Sequence, residues 1–333
     1  MKYAVIGLGT VGSIVGTILK KSGKDVVLIG KPNQIDIINK NGIKINGLNG
    51  STYIENPDAS SDFSSLKDVD FIIICVKSYD TKNLADQIKY HLKKSALILS
   101  LQNGIKNSSI INTITGNKTI SGIVLFNALY LNPGEITLTI KGGLLIENEK
   151  NYNDAIQDLI NSFNSNGLNS ISEENIEGYK WSKLIVNLQN AVTTLTDQTI
   201  KESIIDSDSR SILIATMKEG MNILEKLGIE LKSLPDMDPK KIISRLNFYN
   251  TFILRIGSRL LRLKNARTSM WQSISRGKPT EIDFINGEIV NLAKKNNIRS
   301  PINEKLVELI KEAEKKKLKK SFKPFELKKK LKI

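Results

Sequence analysis

The chain has 333 residues, 40% of them hydrophobic, with 49 Lys and Arg against 34 Asp and Glu for a net charge of +15. That length suits two domains, and that apolar content excludes a disordered chain. A single cysteine, Cys75, excludes an internal disulfide, and a single histidine, His91 among the lysines of "KYHLKKS", leaves no credible metal site.

The basic charge would suit a nucleic-acid or membrane partner if it were spread over a face. It is not, because residues 311 to 333 hold eleven Lys and three Glu, a net +8, leaving +7 for the rest of the chain. A solvated basic tail continuing the last helix is expected, with no nucleic acid and no membrane as partner. "MKYAVIGLG" runs straight into a strand pattern without a cleavable apolar leader, and no run of about eighteen apolar residues follows, so a cytoplasmic protein is expected.

In chain order, the first third alternates apolar runs with helical patterns. "KYAVIGLG" is followed by a helix from Val11, "DVVLIG" by one from about Gln34, "VDFIIICVKS" by one from about Thr81, and then comes "SALILSLQNG". Strands apolar throughout, alternating with helices, predict a parallel sheet covered on both faces, with Cys75 as a buried strand residue. "TISGIVLFNALY" and "EITLTI" flank the turn signal Asn132-Pro133-Gly134-Glu135, which predicts a hairpin added to that sheet. From about residue 170 the periods become helical, at 174–196, 208–228, 239–264, 283–296 and 302–318. The expected division is a Rossmann-type domain at 1–169, an all-helical domain at 170–318 and a basic tail at 319–333.

Gly7, Leu8, Gly9, Thr10, Val11 and Gly12 form a turn between the first strand and its helix. Glycines there allow a tight turn, close approach of a pyrophosphate and close helix–strand packing, so these six residues are the expected dinucleotide contact. The second strand ends at Gly30 and is followed by Lys31, Asn33 and Gln34, with no acid to bind the ribose hydroxyls of NAD. Lys31 can meet a 2′-phosphate, so NADPH is expected. Lys77 and Asn103 close two further strands, where ligands of open parallel sheets bind, and both are expected near the cofactor.

The stretch "YKWSKLIVNLQNAVTTLT", residues 179–196, reads as one helix whose only charge from Trp181 onward is Lys183. At ~100° per residue, Lys183, Asn187, Asn190 and Thr194 fall within about 60° of one another. The solvated helix face at 304–317 is built from Glu and Lys; asparagine is a poor helix former, and its repeated use beside one lysine suits a face turned toward a ligand.

"GLGTVG", "VKSYDT", "LQNG", "YKWSKLIVN" and "TSMWQSISRGKPTEIDFINGEIV", in this order over residues 1 to 318, resemble the ketopantoate reductase (2-dehydropantoate 2-reductase) family. The resemblance implies that Lys183 is the catalytic lysine and that Glu281 belongs to the catalytic set, binding substrate and lying within reach of the cofactor. It further implies Asn103 near the nicotinamide and the substrate, Asn187 on the substrate, and Ser269 at its carboxylate. Family members often continue the lysine helix as Asn-Pro-Leu-Thr; here "NLQNAVTTLT" stands instead, so Asn190 is a candidate for the second substrate asparagine.

Hydride delivery to a ketone builds negative charge on oxygen, which calls for a proton donor carrying preorganised positive charge. An isolated lysine meets both needs, and Glu281 opposite it would keep it protonated and accept a substrate hydroxyl. With that chemistry, the resemblance implies NADPH-dependent reduction of ketopantoate to (R)-pantoate for coenzyme A synthesis, expected in a cleft between the two domains. A related dehydrogenase of another small 2-oxo or hydroxy acid is the alternative, and a non-catalytic NADPH-sensing or polyanion-binding protein a remote one. A homodimer is left open.

Overall fold

The computed structural model describes residues 1–47, 50–234, 237–248, 266–316 and 321–333. It divides into two compact units, Met1–Ile176 and Glu177–Ile333.

In the first unit, β1 (Lys2–Ile6), α1 (Thr10–Lys21), β2 (Asp25–Ile29) and α2 (Pro32–Asn41) are followed by β3 (Ile43–Asn46), β4 (Ser51–Ile54) and the short β5 (Ala59–Ser60). Then come β6 (Phe71–Ile74), α3 (Thr81–Ile88), β7 (Leu97–Ser100), α4 (Asn107–Thr115) and β8 (Thr119–Val124). The unit closes with β9 (Asn127–Asn132), β10 (Glu135–Ile140), β11 (Leu144–Glu147), α5 (Asn153–Ser165) and β12 (Ile171–Glu173). The main sheet runs β12-β11-β8-β7-β6-β1-β2-β5, parallel from β8 to β5, with β11 antiparallel to β8. Strands β6 and β7 are buried at every residue, and along β1 the side chains alternate between two cores, Tyr3 and Val5 in one, Ala4 and Ile6 in the other. This is why apolar residues run without interruption in these segments.

The predicted hairpin forms, but it does not join the main sheet. β9 and β10 pair with β3 and β4 in a separate sheet ordered β4-β3-β10-β9. Ile43, Ile45 and Ile136 are fully buried there in the core that also holds Ile38 of α2, and the Lys44 amide donates to the Gly134 carbonyl at 2.6 Å. The short, glycine-flanked β3 and β4 gave no strong strand signal, so the hairpin's partner was not visible in the sequence. The first unit also extends beyond residue 169, because β12 pairs with β11 from Leu145–Ile171 to Glu147–Glu173.

The second unit is helical: α6 (Glu177–Asn187), α7 (Gln189–Leu195), α8 (Ile200–Ile205), α9 (Ser207–Lys226), α10 (Pro239–Phe248), α11 (Ser269–Ser275), α12 (Asn286–Lys295), α13 (Pro301–Lys316) and α14 (Pro324–Leu331). Of the expected helix at 239–264, the part from 249 lies outside the described residues. α9 packs against α6, α7, α8, α10, α12, α13 and α14. Gly220 on α9 permits the close approach of the lysine segment, since a Cβ there would stand 2.8 Å from Ile185 Cδ1 and 2.9 Å from Leu188 Cδ1.

Two expectations are corrected here. The basic end does not simply continue the preceding helix as a solvated tail: α14 is a separate helix packed on α9, with Leu327 and Leu331 buried and Lys328 paired to Asp208 at 2.9 Å. Two leucines on one face of a lysine-rich helix suffice to dock it, while the lysine stems remain outside. The helix read as continuous over 179–196 is interrupted at Leu188, whose N–H is shared between the Leu184 and Ile185 carbonyls at 3.1 and 3.2 Å. Among the described residues no helix is long and apolar enough to cross a membrane.

Candidate functional site

The glycine turn assigns a different task to each glycine. Gly7 has φ +97° and a Cβ there would meet the Val76 amide nitrogen at 2.7 Å, so the first position combines a left-handed backbone with the segment just past β6 at contact distance. A Cβ on Gly12 would stand 2.1 Å from the Gly7 carbonyl oxygen, which is close packing of α1 on the turn that follows β1. At Gly9, the N-cap of α1, a Cβ would meet nothing within 4 Å. Two glycines are thus demanded by the protein's own packing, and the third keeps a path open to the helix N-terminus. Leu8 is buried while Thr10 and Val11 are half-buried, and the first turn of α1 carries no acid. This cradle fits a dinucleotide pyrophosphate, for which free amides and the helix dipole are the recognition elements.

The sheet order places this turn where strand succession reverses, β2 lying on one side of β1 and β6 on the other. Lys77 follows β6 and Gln102–Asn103 follow β7, so both fall beyond the carboxyl ends of strands at that switch point. A polar network that the sequence did not reveal fixes this corner. Ser78 Oγ donates to the Asn103 carbonyl at 2.6 Å, and the Asn107 carboxamide donates to the same carbonyl and, at 3.2 Å, to Ser78 Oγ. Thr81 Oγ1 donates to Asn107 Oδ1 at 2.9 Å and accepts from Gln102 Nε2 at 2.7 Å. The only sequence sign of it is the Asn-x-x-x-Asn spacing of 103 and 107 at a helix start.

At the end of β2, Lys31 is exposed and N-caps α2, whose first turn has no acid and begins with Pro32. Gln34 turns inward, donating to the Leu8 carbonyl of the glycine turn and to Tyr130 Oη of β9 at 2.7 Å. The second sheet thereby supports the glycine turn through one side chain.

In the second unit Lys183 is half-buried on α6, with Nζ 3.6 Å from Met237 Sδ. A thioether is a weak acceptor and compensates an ammonium poorly. Burial pulls the Lys183 pKa down from the usual lysine value to about 8, with no carboxylate opposing the shift. Glu281 therefore does not stand against Lys183 as expected: among the described residues neither a hydrogen bond nor an ion pair joins the two. Glu281 is itself buried, 4% exposed, at the head of a 3-10 turn over Ile282–Phe284.

The polar stripe is not a wet face along its length. Lys183 and Asn187 are half-buried, whereas Asn190 and Thr194 are buried at 6% and 0% exposure. Thr194 Oγ1 turns back onto the Asn190 carbonyl at 2.6 Å, which leaves Asn190 as the stripe's buried carboxamide. Among the described residues that carboxamide makes no hydrogen bond. Beside it, Thr193 Oγ1 lies 3.2 Å from Thr268 Oγ1, the N-cap of α11, so that Ser269 opens a helix stitched directly to α7. Arg267 and the Trp271 indole both donate to Asp197 Oδ1, at 2.9 and 2.7 Å, and hold the other end of that pair. Lys183, Asn187, Asn190 and Ser269 are thus carried by α6, α7 and α11, which form a continuous packed set within the second unit. Among the described residues there is no cluster of metal-ligating side chains.

A family model described as ketopantoate reductase PanE/ApbA matches residues 3–151, and the model of the C-terminal part of the same family matches residues 175–314. A 2-dehydropantoate 2-reductase of Pyrococcus horikoshii is 34% identical over 320 residues, spanning 94% of this chain and 98% of that protein. Among solved structures, a PanE/ApbA family ketopantoate reductase from Ralstonia eutropha JMP134 superposes with a TM-score of 0.82 at 27% identity, covering 95% of this chain and 99% of the other. A D-mandelate dehydrogenase in complex with NADH and anilino(oxo)acetate superposes with a TM-score of 0.78 at 26% identity and the same coverage.

Proposed function

The chain belongs to the ketopantoate reductase family of NAD(P)-dependent oxidoreductases, and on that premise we propose that it reduces ketopantoate to (R)-pantoate with NADPH, in the cytoplasm, for coenzyme A synthesis. The observation that carries this reading is Lys183: a lysine desolvated by burial, its pKa drawn to about 8, on the helix next to the one that carries Asn190, a buried asparagine whose carboxamide has no partner among the described residues. A group poised near neutral pH can both attract a carboxylate-bearing substrate and release a proton to it.

The glycine turn from Gly7 to Gly12, with Lys31, Lys77 and Asn103, would hold the dinucleotide. When bound, the reduced dinucleotide supplies the hydride. Lys183 Nζ donates the proton as charge develops on the ketone oxygen and stabilises that oxygen beforehand as an ammonium. Asn187 and Asn190 orient the substrate through carboxamides fixed on α6 and α7. Ser269, at the first turn of α11, offers a hydroxyl to the carboxylate. Glu281 accepts a hydroxyl of the substrate. The deciding measurement is NADPH oxidation by the purified protein with ketopantoate against a panel of 2-oxo acids; preference for an unbranched or aromatic acid would overturn the substrate.

The preference for NADPH over NADH is supported by Lys31 and by the acid-free start of α2. Lys31→Ala should weaken NADPH about tenfold, ~1.4 kcal/mol, at the low end for a charged hydrogen bond because the site is open to solvent. NADH affinity should hardly move, and an equal loss for both cofactors would remove Lys31 from the site. Glu281→Gln preserves shape and removes charge, so the KM for ketopantoate should rise about tenfold, ~1.4 kcal/mol, while titrated NADPH binding without substrate stays at the wild-type level. An unchanged KM would leave Glu281 as a helix-end charge alone.

A second reading, a D-2-hydroxyacid dehydrogenase of an aryl substrate, is favoured by the likeness to D-mandelate dehydrogenase at nearly the identity of the reductase. It requires faster turnover of an aryl 2-oxo acid with NADH in the same panel.

A further inference from the structure

The Asn286 side chain lies outside every role given so far, yet it is fully buried and bonds to the point where the lysine helix breaks. Its Nδ2 donates to the Leu188 carbonyl at 3.3 Å, across 98 residues of sequence, and to Asn303 Oδ1 at 3.0 Å. Asn303 is anchored in turn, its carboxamide donating to the Thr216 carbonyl at 3.3 Å and to Glu219 Oε1 at 3.2 Å. Glu219 also accepts from the Ile302 and Asn303 amides at 2.8 and 3.1 Å, so the chain of bonds ends on a carboxylate fixed to the start of α13. Asn286 Oδ1 is buried without a partner among the described residues. Reversing the amide would satisfy nothing and would set oxygen against the Leu188 and Asn303 oxygens, so the orientation is dictated by the two acceptors.

Leu188 separates Lys183 and Asn187 on α6 from Asn190 on α7, and Asn286 begins α12 immediately after the turn headed by Glu281. We infer that Asn286 is a positioning residue that sets the α6–α7 break against the Glu281 turn and so fixes the spacing between the proton donor and the substrate-binding groups. The inference rests on the reading of Lys183, Asn190 and Glu281 given above. Removing the bond lets α7 rotate relative to α6, which disperses groups that must act on one small substrate.

The test compares Asn286→Leu with Leu327→Ala, a control that truncates a fully buried residue of α14, the helix packed on α9 and α13. Asn286→Leu should raise the KM for ketopantoate at least tenfold and accelerate amide hydrogen exchange in a peptide covering 184–192, with the NADPH Kd within twofold of wild type. Leu327→Ala should lower the Tm while leaving the KM and that peptide's exchange near wild type. Should Asn286→Leu fail to fold, Asn286→Ser is read by the same two measurements. A KM and exchange rate unchanged at position 286, or an equal change in the control, overturns the inference. A wild-type enzyme inert toward every 2-oxo acid would sink the proposed function instead, and the exchange arm would still report whether Asn286 holds the break.

Discussion

Lys183→Ala is expected to lower turnover by roughly 10² to 10⁴, the usual worth of general acid catalysis, while the protein remains folded and binds NADPH. The substitution removes both the proton and the charge that faces the developing alkoxide. Folding should survive because the ammonium is a desolvated group with a thioether beside it, and alanine is the better helix former. The pH profile of the wild type carries the same assignment. Burial disfavours the ammonium, so the proton-donating form prevails below pH 8 and is lost as pH rises through about 8. kcat/KM for reduction should accordingly be level below that point and fall above it, and the falling limb should be absent from the residual activity of Lys183→Ala. Alkylating a Lys183→Cys protein with bromoethylamine should restore part of the rate. Cys75, the one native cysteine, is replaced by serine in that experiment, so that position 183 carries the single thiol. More than about a tenth of wild-type turnover in Lys183→Ala would rule out the general-acid role.

Gly12→Ala and Gly9→Ala should separate folding from cofactor binding within one turn. The Gly12 methyl would stand 2.1 Å from the Gly7 carbonyl oxygen, which no rotamer can relieve, so α1 must shift on β1. Overpacking of this kind costs about 1 to 3 kcal/mol and should appear as a lower denaturation midpoint together with loss of NADPH binding. Gly9 has φ −76° and ψ −159°, a conformation open to any L-residue, with free space where the methyl would go. Gly9→Ala should therefore keep the wild-type midpoint and lose NADPH affinity by at least about tenfold, ~1.4 kcal/mol, because the methyl occupies the approach of the pyrophosphate. Unchanged NADPH affinity in a folded Gly9→Ala protein would place the cofactor elsewhere.

What the sequence determined by itself was what depends on neighbours a few positions apart. The parallel strands announced themselves because both faces of each are covered, which makes β6 and β7 apolar at every position. The three glycines were legible because a tight turn, an open approach and a packed helix start each forbid a side chain for a local reason. Lys183 stood out as one charge in an otherwise uncharged helical stretch. Tertiary structure alone decided where the pattern was broken or completed by a distant partner. The break at Leu188 falls where a carbonyl receives the side chain of Asn286, and no periodicity within 179–196 encodes a donor 98 residues away. Asn190 and Thr194 are buried because α7 packs against α9, α11 and α13, whereas the same polar letters would equally suit a wet face. The hairpin's choice of β3 over the main sheet and the docking of α14 through two leucines were settled by which apolar surfaces remained to be covered, a property of the assembled layers rather than of any segment.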